Sequence, residues 1–183
     1  SASACSVRPF ATNTSSLSIG RLAASVGPGR RPRFLGMHFF NPAPAMPLVE
    51  LVRGSETSDE TAAAIRDLAG RLGKTVVESA DRPGFIVNRM LFPLLVEAMR
   101  AVEEGVGTAE AVDAGARAGL NHPMGPLELA DLIGLDTCLE ILDVLADGLG
   151  DRFAPPRLLR DLVAAGHLGR KTGRGFHSYP PAG

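Results

Sequence analysis

The spacing of apolar residues changes near residue 84. Before that point, short apolar runs typical of strands alternate with amphipathic stretches, whereas after it apolar residues recur at helical spacing. The predicted strands cover residues 10–13, 33–40, 47–52 and 74–78, and the early helices cover 18–24 and 58–72. The later predicted helices cover 85–104, 109–118, 126–132, 136–145 and 158–165. We therefore predict an α/β domain over residues 1–82 followed by an all-α domain over 83–183.

Local sequence signals predict where helices start, as in the following two cases. Thr57 and Glu60 have the spacing of a capping box, which would begin the helix over 58–72. The residues expected on the buried face of this helix are Ile65, Leu68 and Leu72. Asp136 is expected to cap the helix over 136–145, because its short side chain can accept hydrogen bonds from the first turn.

Composition and charge are those of a globular protein and favour no nucleic-acid partner. Of the 183 residues, 45% are apolar and 21% are charged, and the formal net charge is -1. No apolar run approaches the ~18 residues of a spanning helix, so no membrane partner is expected. Cys5 and Cys138 lack metal-ligand or redox spacing, so we expect no metal and a cytoplasmic location. A disulfide between the two cysteines stays open.

A histidine and a glutamate are the main candidates for chemistry. His38 and Glu50 fall on two predicted strands whose other residues are largely apolar. A buried carboxylate needs a partner, and an imidazole that donates one ring N–H to it keeps the other nitrogen for a substrate proton. The pair therefore indicates a general base with its orienting acid. Two alternatives stay open: Glu50 could reach solvent from an edge strand, and His38 could be a core histidine bonded to a backbone carbonyl.

Ser15 and Asn88 are weaker candidates when each is considered alone. Asn88 lies near the start of the predicted helix over 85–104, where its amide could donate to a substrate oxygen. Ser15 follows a predicted strand and could donate a hydrogen bond. The alternatives are local helix capping for Asn88 and a simple turn for Ser15.

Several motifs occur in order along nearly the whole chain. They are Asn13-Thr14-Ser15-Ser16, His38-Phe39-Phe40-Asn41-Pro42, Leu48-Val49-Glu50, Asp81-Arg82-Pro83-Gly84-Phe85-Ile86-Val87-Asn88-Arg89 with Pro93, Asn121-His122-Pro123-Met124-Gly125-Pro126, and Gly169-Arg170-Lys171-Thr172-Gly173-Arg174-Gly175-Phe176. Together they resemble the 3-hydroxyacyl-CoA dehydrogenase family, in particular its short-chain type, which acts on 3-hydroxybutyryl-CoA.

The resemblance implies a fold, an activity and a set of site residues. The fold would be a Rossmann-type NAD-binding domain, represented here by its C-terminal portion, followed by a helical domain. The activity would be NAD-dependent oxidation of a 3-hydroxyacyl-CoA to a 3-oxoacyl-CoA, or the reverse. His38 would be the general base, Glu50 would orient it, and Ser15 and Asn88 would hold substrate oxygens. The residues implied to hold NAD are Asn13, Ser15, Asn41 and Lys171. A homodimer through the helical domain and a role in fatty acid metabolism, such as β-oxidation, are also implied.

The sequence departs from the family at the cofactor site. That site begins in the family with a strand, a G-x-G-x-x-G turn and a helix, and Gly27-Pro28-Gly29 lacks this geometry. We expect about 110–120 residues of a nucleotide-binding domain to be absent, and NAD to bind weakly to this chain alone. The alternative function is therefore a truncated, inactive helical module for dimerisation or acyl-CoA binding. A sugar-acid dehydrogenase lacks support, because such enzymes usually present a lysine as the base.

Overall fold

The chain forms two compact units of different secondary structure. The computed structural model describes residues 8–15 and 17–180, and these divide into one unit ending at Val87 and another beginning at Asn88. The elements up to residue 80 are β1 (Phe10–Thr12), α1 (Ile19–Ala24), a 3-10 helix (Pro28–Arg33), β2 (Phe34–Phe39), β3 (Leu48–Arg53), α2 (Asp59–Arg71) and β4 (Thr75–Ala80). The later elements are α3 (Val87–Glu103), α4 (Ala109–Gly119), α5 (Pro126–Ile133), α6 (Leu135–Leu149) and α7 (Arg157–Ala164), with short 3-10 helices at Asp151–Phe153 and Arg170–Thr172. The predicted fold class, α/β followed by all-α, is confirmed.

The first unit is built on a mixed four-stranded sheet in the order β1-β2-β3-β4. β1 runs parallel to β2, β2 antiparallel to β3, and β3 parallel to β4. One face packs on α2 through a cluster of apolar residues, which are Leu35, Met37, Val49, Leu51, Ala62, Ile65 and Ala69. The other face packs on α1 through Ile19, Ala23, Phe34, Val52 and Phe85. Because both faces are covered, β2 and β3 read as nearly continuous apolar runs, interrupted at His38 and Glu50.

The close approach of α1 to the sheet depends on a glycine in β2. A Cβ atom built on Gly36 would lie 2.8 Å from Cδ1 of Ile19 and 3.0 Å from Cβ of Val52. Ile19 is fully buried. The absence of a side chain at Gly36 therefore lets α1 pack directly over β2 and β3.

The start and the buried face of α2 differ from their predictions. Ser58, not Thr57, is the N-cap, and its Oγ accepts a hydrogen bond from the backbone N of Thr61 at 3.2 Å. The Thr57 hydroxyl instead donates to the backbone O of Phe34 at 2.7 Å, so it satisfies a strand carbonyl and is unavailable as a cap. Of the three residues predicted to be buried, Ile65 is buried, whereas Leu68 and Leu72 are 37% and 55% exposed. The buried residues of the helix are Thr61, Ala62, Ile65 and Ala69, and the small side chains of Thr61, Ala62 and Ala69 permit closer packing.

The second unit is helical and has one main apolar core. Its fully or almost fully buried side chains include Phe92, Leu95, Met99, Leu127, Leu135, Leu142, Leu145, Phe153 and Leu159. The capping role predicted for Asp136 is wrong: Gly134 is the N-cap of α6, and Asp136 lies in the first turn, where it binds Lys171. Cys138 is buried in this core, and burial, aided by the charges of Asp131 and Asp136, raises the pKa of its thiol to about 12. Cys5 lies outside the described residues.

Two buried carboxylates hold the segment over residues 169–179, which we call the C-terminal clasp. Asp131 accepts hydrogen bonds from the backbone N atoms of Phe176 and His177, each at 2.9 Å, and from the Tyr179 hydroxyl at 3.0 Å. Asp113 accepts a hydrogen bond from Nε2 of His177 at 2.7 Å and two more from the first turn of α5. Both aspartates are 1% exposed. The clasp therefore supplies three hydrogen bonds to the buried Asp131 and adds a third to Asp113, which also accepts two from α5.

Over the part of the chain that the structure describes, none of the helices combines the length and the apolar character needed to cross a membrane.

Candidate active site

The candidate site is centred on a histidine and a glutamate that face each other across two strands. His38 of β2 and Glu50 of β3 are directly paired in the antiparallel register. Nδ1 of His38 lies 2.7 Å from Oε2 of Glu50. The residues are 4% and 0% exposed, respectively. The strand register therefore brings both groups together inside the sheet layer, as the alternation of the sequence indicates.

Glu50 is held on both of its oxygens. Oε1 accepts hydrogen bonds from the backbone N atoms of Ile86 at 3.0 Å and Val87 at 2.9 Å, while Oε2 meets His38. Burial by itself would raise the pKa of Glu50. The hydrogen bonds from His38, Val87 and Ile86, together with the charge of His38, outweigh burial and lower this pKa below its ordinary value. Glu50 is therefore an ionised carboxylate at neutral pH.

The ionised glutamate sets the tautomer of the histidine. A carboxylate only accepts hydrogen bonds, so Nδ1 of His38 carries a hydrogen and donates it. In the neutral imidazole, Nε2 is then the acceptor. The Oγ atom of Ser15 lies 3.0 Å from Nε2, so the serine hydroxyl donates to this nitrogen. The unprotonated nitrogen thus faces a small hydroxyl at the position where a base would meet a substrate alcohol.

The segment after β1 brings Ser15 to the histidine. Oδ1 of Asn13 accepts a hydrogen bond from the backbone N of Phe39 at 2.9 Å. This bond ties the end of β1 to the end of β2, one residue beyond His38. Asn13 is exposed and Ser15 is partly buried. Polar residues therefore gather at the carboxyl ends of two parallel strands, where open α/β sheets bind their ligands.

Two aromatic rings enclose the imidazole. The ring centroid of Phe40 lies 4.6 Å from that of His38, with the planes at 56°. Phe85 lies 5.7 Å away and meets the imidazole edge-on at 63°. Apolar walls limit access of water, which strengthens the interaction between His38 and Glu50.

The other predicted site residues lie elsewhere in the chain. Asn41 is exposed in the turn after β2 and precedes Pro42 through a cis peptide bond. Asn88 is buried in the first turn of α3. Nζ of Lys171 lies 2.6 Å from both carboxylate oxygens of Asp136. The structure thus groups His38, Glu50 and Ser15, with Asn13 beside them. The roles of all seven predicted site residues stay predictions.

Sequence reasoning missed the residues that hold the far side of Glu50. Ile86 and Val87 act through backbone N–H groups, which any residue except proline carries, so their identity gives no signal. The pair Gly84-Phe85 is the available hint, because a glycine often marks a tight turn. The left-handed backbone of Phe85 itself, at φ 47°, is not readable from the sequence.

Within residues 8–15 and 17–180, no group of three or more His, Cys, Asp or Glu side chains is placed to hold a metal ion.

Two family models match the chain in succession. The 3-hydroxyacyl-CoA dehydrogenase NAD binding domain matches residues 6–82, and the C-terminal domain of the same family matches residues 84–179. A curated relative from Deinococcus radiodurans, named a probable 3-hydroxybutyryl-CoA dehydrogenase, is 55% identical over 93% of this chain and 61% of its own length. The 3-hydroxybutyryl-CoA dehydrogenase of Bradyrhizobium diazoefficiens is 55% identical over 92% of this chain and 57% of its own length.

A solved structure agrees with these sequence matches. The crystal structure of (S)-3-hydroxybutyryl-CoA dehydrogenase PaaH1 from Ralstonia eutropha superposes with a TM-score of 0.90 at 51% identity, over 94% of this chain and 60% of that one. The chain therefore spans about 60% of the length of the relatives it matches. With both family domains matched in order, the chain belongs to the 3-hydroxyacyl-CoA dehydrogenase family.

Proposed function

We propose that this chain carries the general base of an NAD-dependent 3-hydroxyacyl-CoA dehydrogenase. The reaction is oxidation of a 3-hydroxyacyl-CoA, with 3-hydroxybutyryl-CoA as the first candidate, to the 3-oxoacyl-CoA, or the reverse. The observation that carries the proposal is Nε2 of His38, which faces a hydroxyl at 3.0 Å while Nδ1 is fixed on Glu50 at 2.7 Å. The names of the similar dehydrogenases support the acyl-CoA substrate.

The proton follows a short path in this mechanism. Nε2 of His38 accepts the proton of the substrate 3-hydroxyl as hydride leaves C3. The imidazole becomes an imidazolium, and the Glu50 carboxylate on Nδ1 stabilises that charge. In the direction of ketone reduction, Nε2 returns the same proton to the developing alkoxide. The buried pair of His38 and Glu50 therefore holds the transferred proton on Nε2, close to the reacting carbon.

Ser15 and Asn88 hold the substrate oxygens in this proposal. The Ser15 hydroxyl is 3.0 Å from Nε2, so a substrate hydroxyl bound next to it would also lie near the base. Asn88 contributes a side-chain amide with two donor hydrogens, suited to a carbonyl or hydroxyl oxygen. Together they would orient the 3-position for proton transfer.

The polar residues beside β1 fit a dinucleotide cofactor. Asn13 is exposed at the carboxyl end of a strand that runs parallel to its neighbour, and its amide nitrogen can donate two hydrogen bonds. Asn13 and Ser15, with Asn41 and Lys171 as further candidates, would hold NAD. Bound NAD would supply the hydride acceptor.

Turnover by the purified protein tests the proposal. Because the chain alone is expected to bind NAD weakly, NAD is supplied in large excess. We then expect NADH formation from 3-hydroxybutyryl-CoA, and a fall in kcat of at least ~10²-fold in His38→Gln. The matched control is His167→Gln, the same chemical change in the second unit, which should keep wild-type kcat. Near-normal turnover in His38→Gln would remove His38 as the base. No turnover in the wild-type protein would favour the alternative, an inactive module that binds acyl-CoA or dimerises.

We further infer a homodimer formed through the second unit. Several large apolar side chains of that unit are at least one-third exposed: Met90, Val106, Leu120, Leu132 and Val144. Three of them lie on helices, Met90 in α3, Leu132 in α5 and Val144 in α6, and exposed apolar side chains that form a patch are typical of surfaces that meet a second copy. The proposed substrate also implies a role in fatty acid metabolism, such as β-oxidation. The cysteine content implies a cytoplasmic location. Both stay predictions.

A further inference from the structure

The connection after β4 has an unusual backbone. Gly84 and Phe85 have φ values of 77° and 47°, so two successive residues are left-handed. Glycine adopts this conformation readily, but a bulky aromatic residue seldom does. Phe85 is also 4% exposed. Such a backbone persists only where the surroundings hold it, and it is concentrated at functional sites.

The turn aims two backbone donors at one carboxylate oxygen. Directly after Phe85, the N–H groups of Ile86 and Val87 both donate to Oε1 of Glu50. A right-handed or extended residue at position 85 would send the following N–H groups in another direction. Because Oε2 is already occupied by His38, these two bonds prevent the carboxylate from rotating about its last bond.

The turn is fixed by contacts ahead of it and by the side chain of Phe85 within it. Before it, the Asp81 carboxylate accepts hydrogen bonds from Ser18 Oγ and from the backbone N atoms of Ile19 and Gly20, each at 2.8 Å. Within it, the Phe85 ring packs in the cluster with Phe34 and meets the His38 ring edge-on. Phe85 therefore contacts the His38 ring with its own ring, and its backbone directs the following N–H groups toward the Glu50 carboxylate.

We propose that Phe85 is a positioning residue: its left-handed turn locks Glu50 and thereby the tautomer and orientation of His38. The inference rests on the proposed role of His38 as general base. Phe85 acts through Glu50 and His38 and touches neither substrate nor cofactor in this proposal.

Two substitutions separate the backbone from the ring. Phe85→Gly and Phe85→Val both remove the ring, but glycine tolerates the left-handed backbone and the β-branched valine does not. The readouts are the NMR resonance of the proton on Nδ1 of His38 and the exchange rates of the Ile86 and Val87 amide protons. The His38 resonance is assigned by its loss in His38→Gln. Phe34→Val is the matched control, because it removes a ring from the same cluster at a strand position where valine fits.

We expect both the Nδ1 proton and the two amides to exchange at least about tenfold faster in Phe85→Val than in Phe85→Gly, with Phe34→Val close to wild type. Equal exchange in the two Phe85 variants would overturn the inference. Should Phe85→Val not fold, Glu50→Gln supplies the second test, since loss of the carboxylate should accelerate exchange of the Ile86 and Val87 amides together. Unchanged protection of those amides would also overturn it.

Turnover adds a readout that general destabilisation would not reproduce. Phe85→Val should lower kcat by about 10- to 100-fold with little change in KM, because a misplaced base affects the chemical step. A rise in KM with unchanged kcat would contradict the positioning role. The exchange measurements need no turnover, so a protein without dehydrogenase activity would refute the proposed function while leaving the geometry of the turn separately tested.

Discussion

At the scale of the residue, burial and hydrogen bonding act on Glu50 in opposite directions. Burial favours its neutral form, whereas His38 and the backbone of Val87 and Ile86 favour the carboxylate and prevail. The pKa of Glu50 is thus lower in the folded protein than in the unfolded chain. Unfolded protein consequently binds this proton more readily, and the stability contributed by Glu50 decreases as the pH falls.

Replacing Glu50 should change how stability depends on pH. The contribution of the carboxylate is complete above the pKa of the unfolded chain, which is close to 4.5, and is lost as the pH falls through the lower pKa of the folded protein. Wild-type stability should therefore drop as the pH falls below 4.5. Glu50→Gln should give a flatter curve over this range, although it starts from lower stability. Urea unfolding followed by circular dichroism at a series of pH values measures both curves. Glu60→Gln, at an exposed glutamate of α2, is the control and should keep the wild-type slope; parallel curves for wild type and Glu50→Gln would contradict the expectation.

The hydrogen bond between His38 and Glu50 was predictable from the sequence, but the backbone hydrogen bonds that hold Glu50 in place were not. Apolar neighbours on two adjacent strands indicated that both side chains were buried, and burial required a partner for the acid. The observed contact at 2.7 Å excludes the solvent-facing alternative for Glu50 and the backbone carbonyl as the partner of His38 Nδ1. The donors from Ile86 and Val87 depend on the φ angle of Phe85, which tertiary packing sets and residue identity does not reveal.

At the scale of the element, the positions of strands and helices could be predicted from the spacing of apolar residues. Which face of a helix packs against the sheet depended on side-chain size as well. Ile65, Leu68 and Leu72 fit the helical period, yet of these three only Ile65 is buried, and it is joined by Thr61, Ala62 and Ala69. Small residues let a helix lie closer to a sheet, and a period-based prediction favours large apolar residues. The same principle explains Gly36, whose missing side chain makes room for Ile19.

A methyl group at Gly36 should separate α1 from the sheet. Its Cβ would lie 2.8 Å from Ile19, a fully buried neighbour, so Gly36→Ala should lower the free energy of unfolding by about 1–3 kcal/mol. Gly70→Ala in α2 is the matched control, because nothing lies within 4 Å of the added atom. That control should be neutral or stabilising by about 0.5–1 kcal/mol, as alanine favours helix over glycine. Urea titration of both variants compares them; equal stability would show that α1 shifts without cost.

At the scale of the whole molecule, the order of the motifs along the chain indicated the family more specifically than any single residue did. The two family domains match in the expected order, and the chain spans about 60% of the length of its relatives. The predicted domain limits, 1–82 and 83–183, stay a prediction beside the two compact units. The candidate residues are divided between these units, with His38, Glu50 and Ser15 in the first and Asn88 and Lys171 in the second.

The inferred dimer belongs to this scale and can be weakened at one exposed residue. Met90 in α3 is 66% exposed, and Met90→Glu should raise the dimer dissociation constant by at least about tenfold if it lies in the apolar contact. Leu72→Glu is the control, because Leu72 is 55% exposed but lies directly after α2 in the first unit. Sedimentation equilibrium over a range of concentrations measures both. A wild-type protein that stays monomeric throughout that range would refute the dimer.

The C-terminal clasp has a consequence for how the second unit tolerates shortening. Cleavage ahead of Phe176 would remove three donors from Asp131 and one from Asp113, and both of these charged groups lie almost entirely out of contact with solvent. Leaving a buried charge without its partner is strongly destabilising. The last dozen described residues are therefore an integral part of the helical core rather than a dispensable tail, and trimming by a protease there should loosen helices far along the chain from the cut.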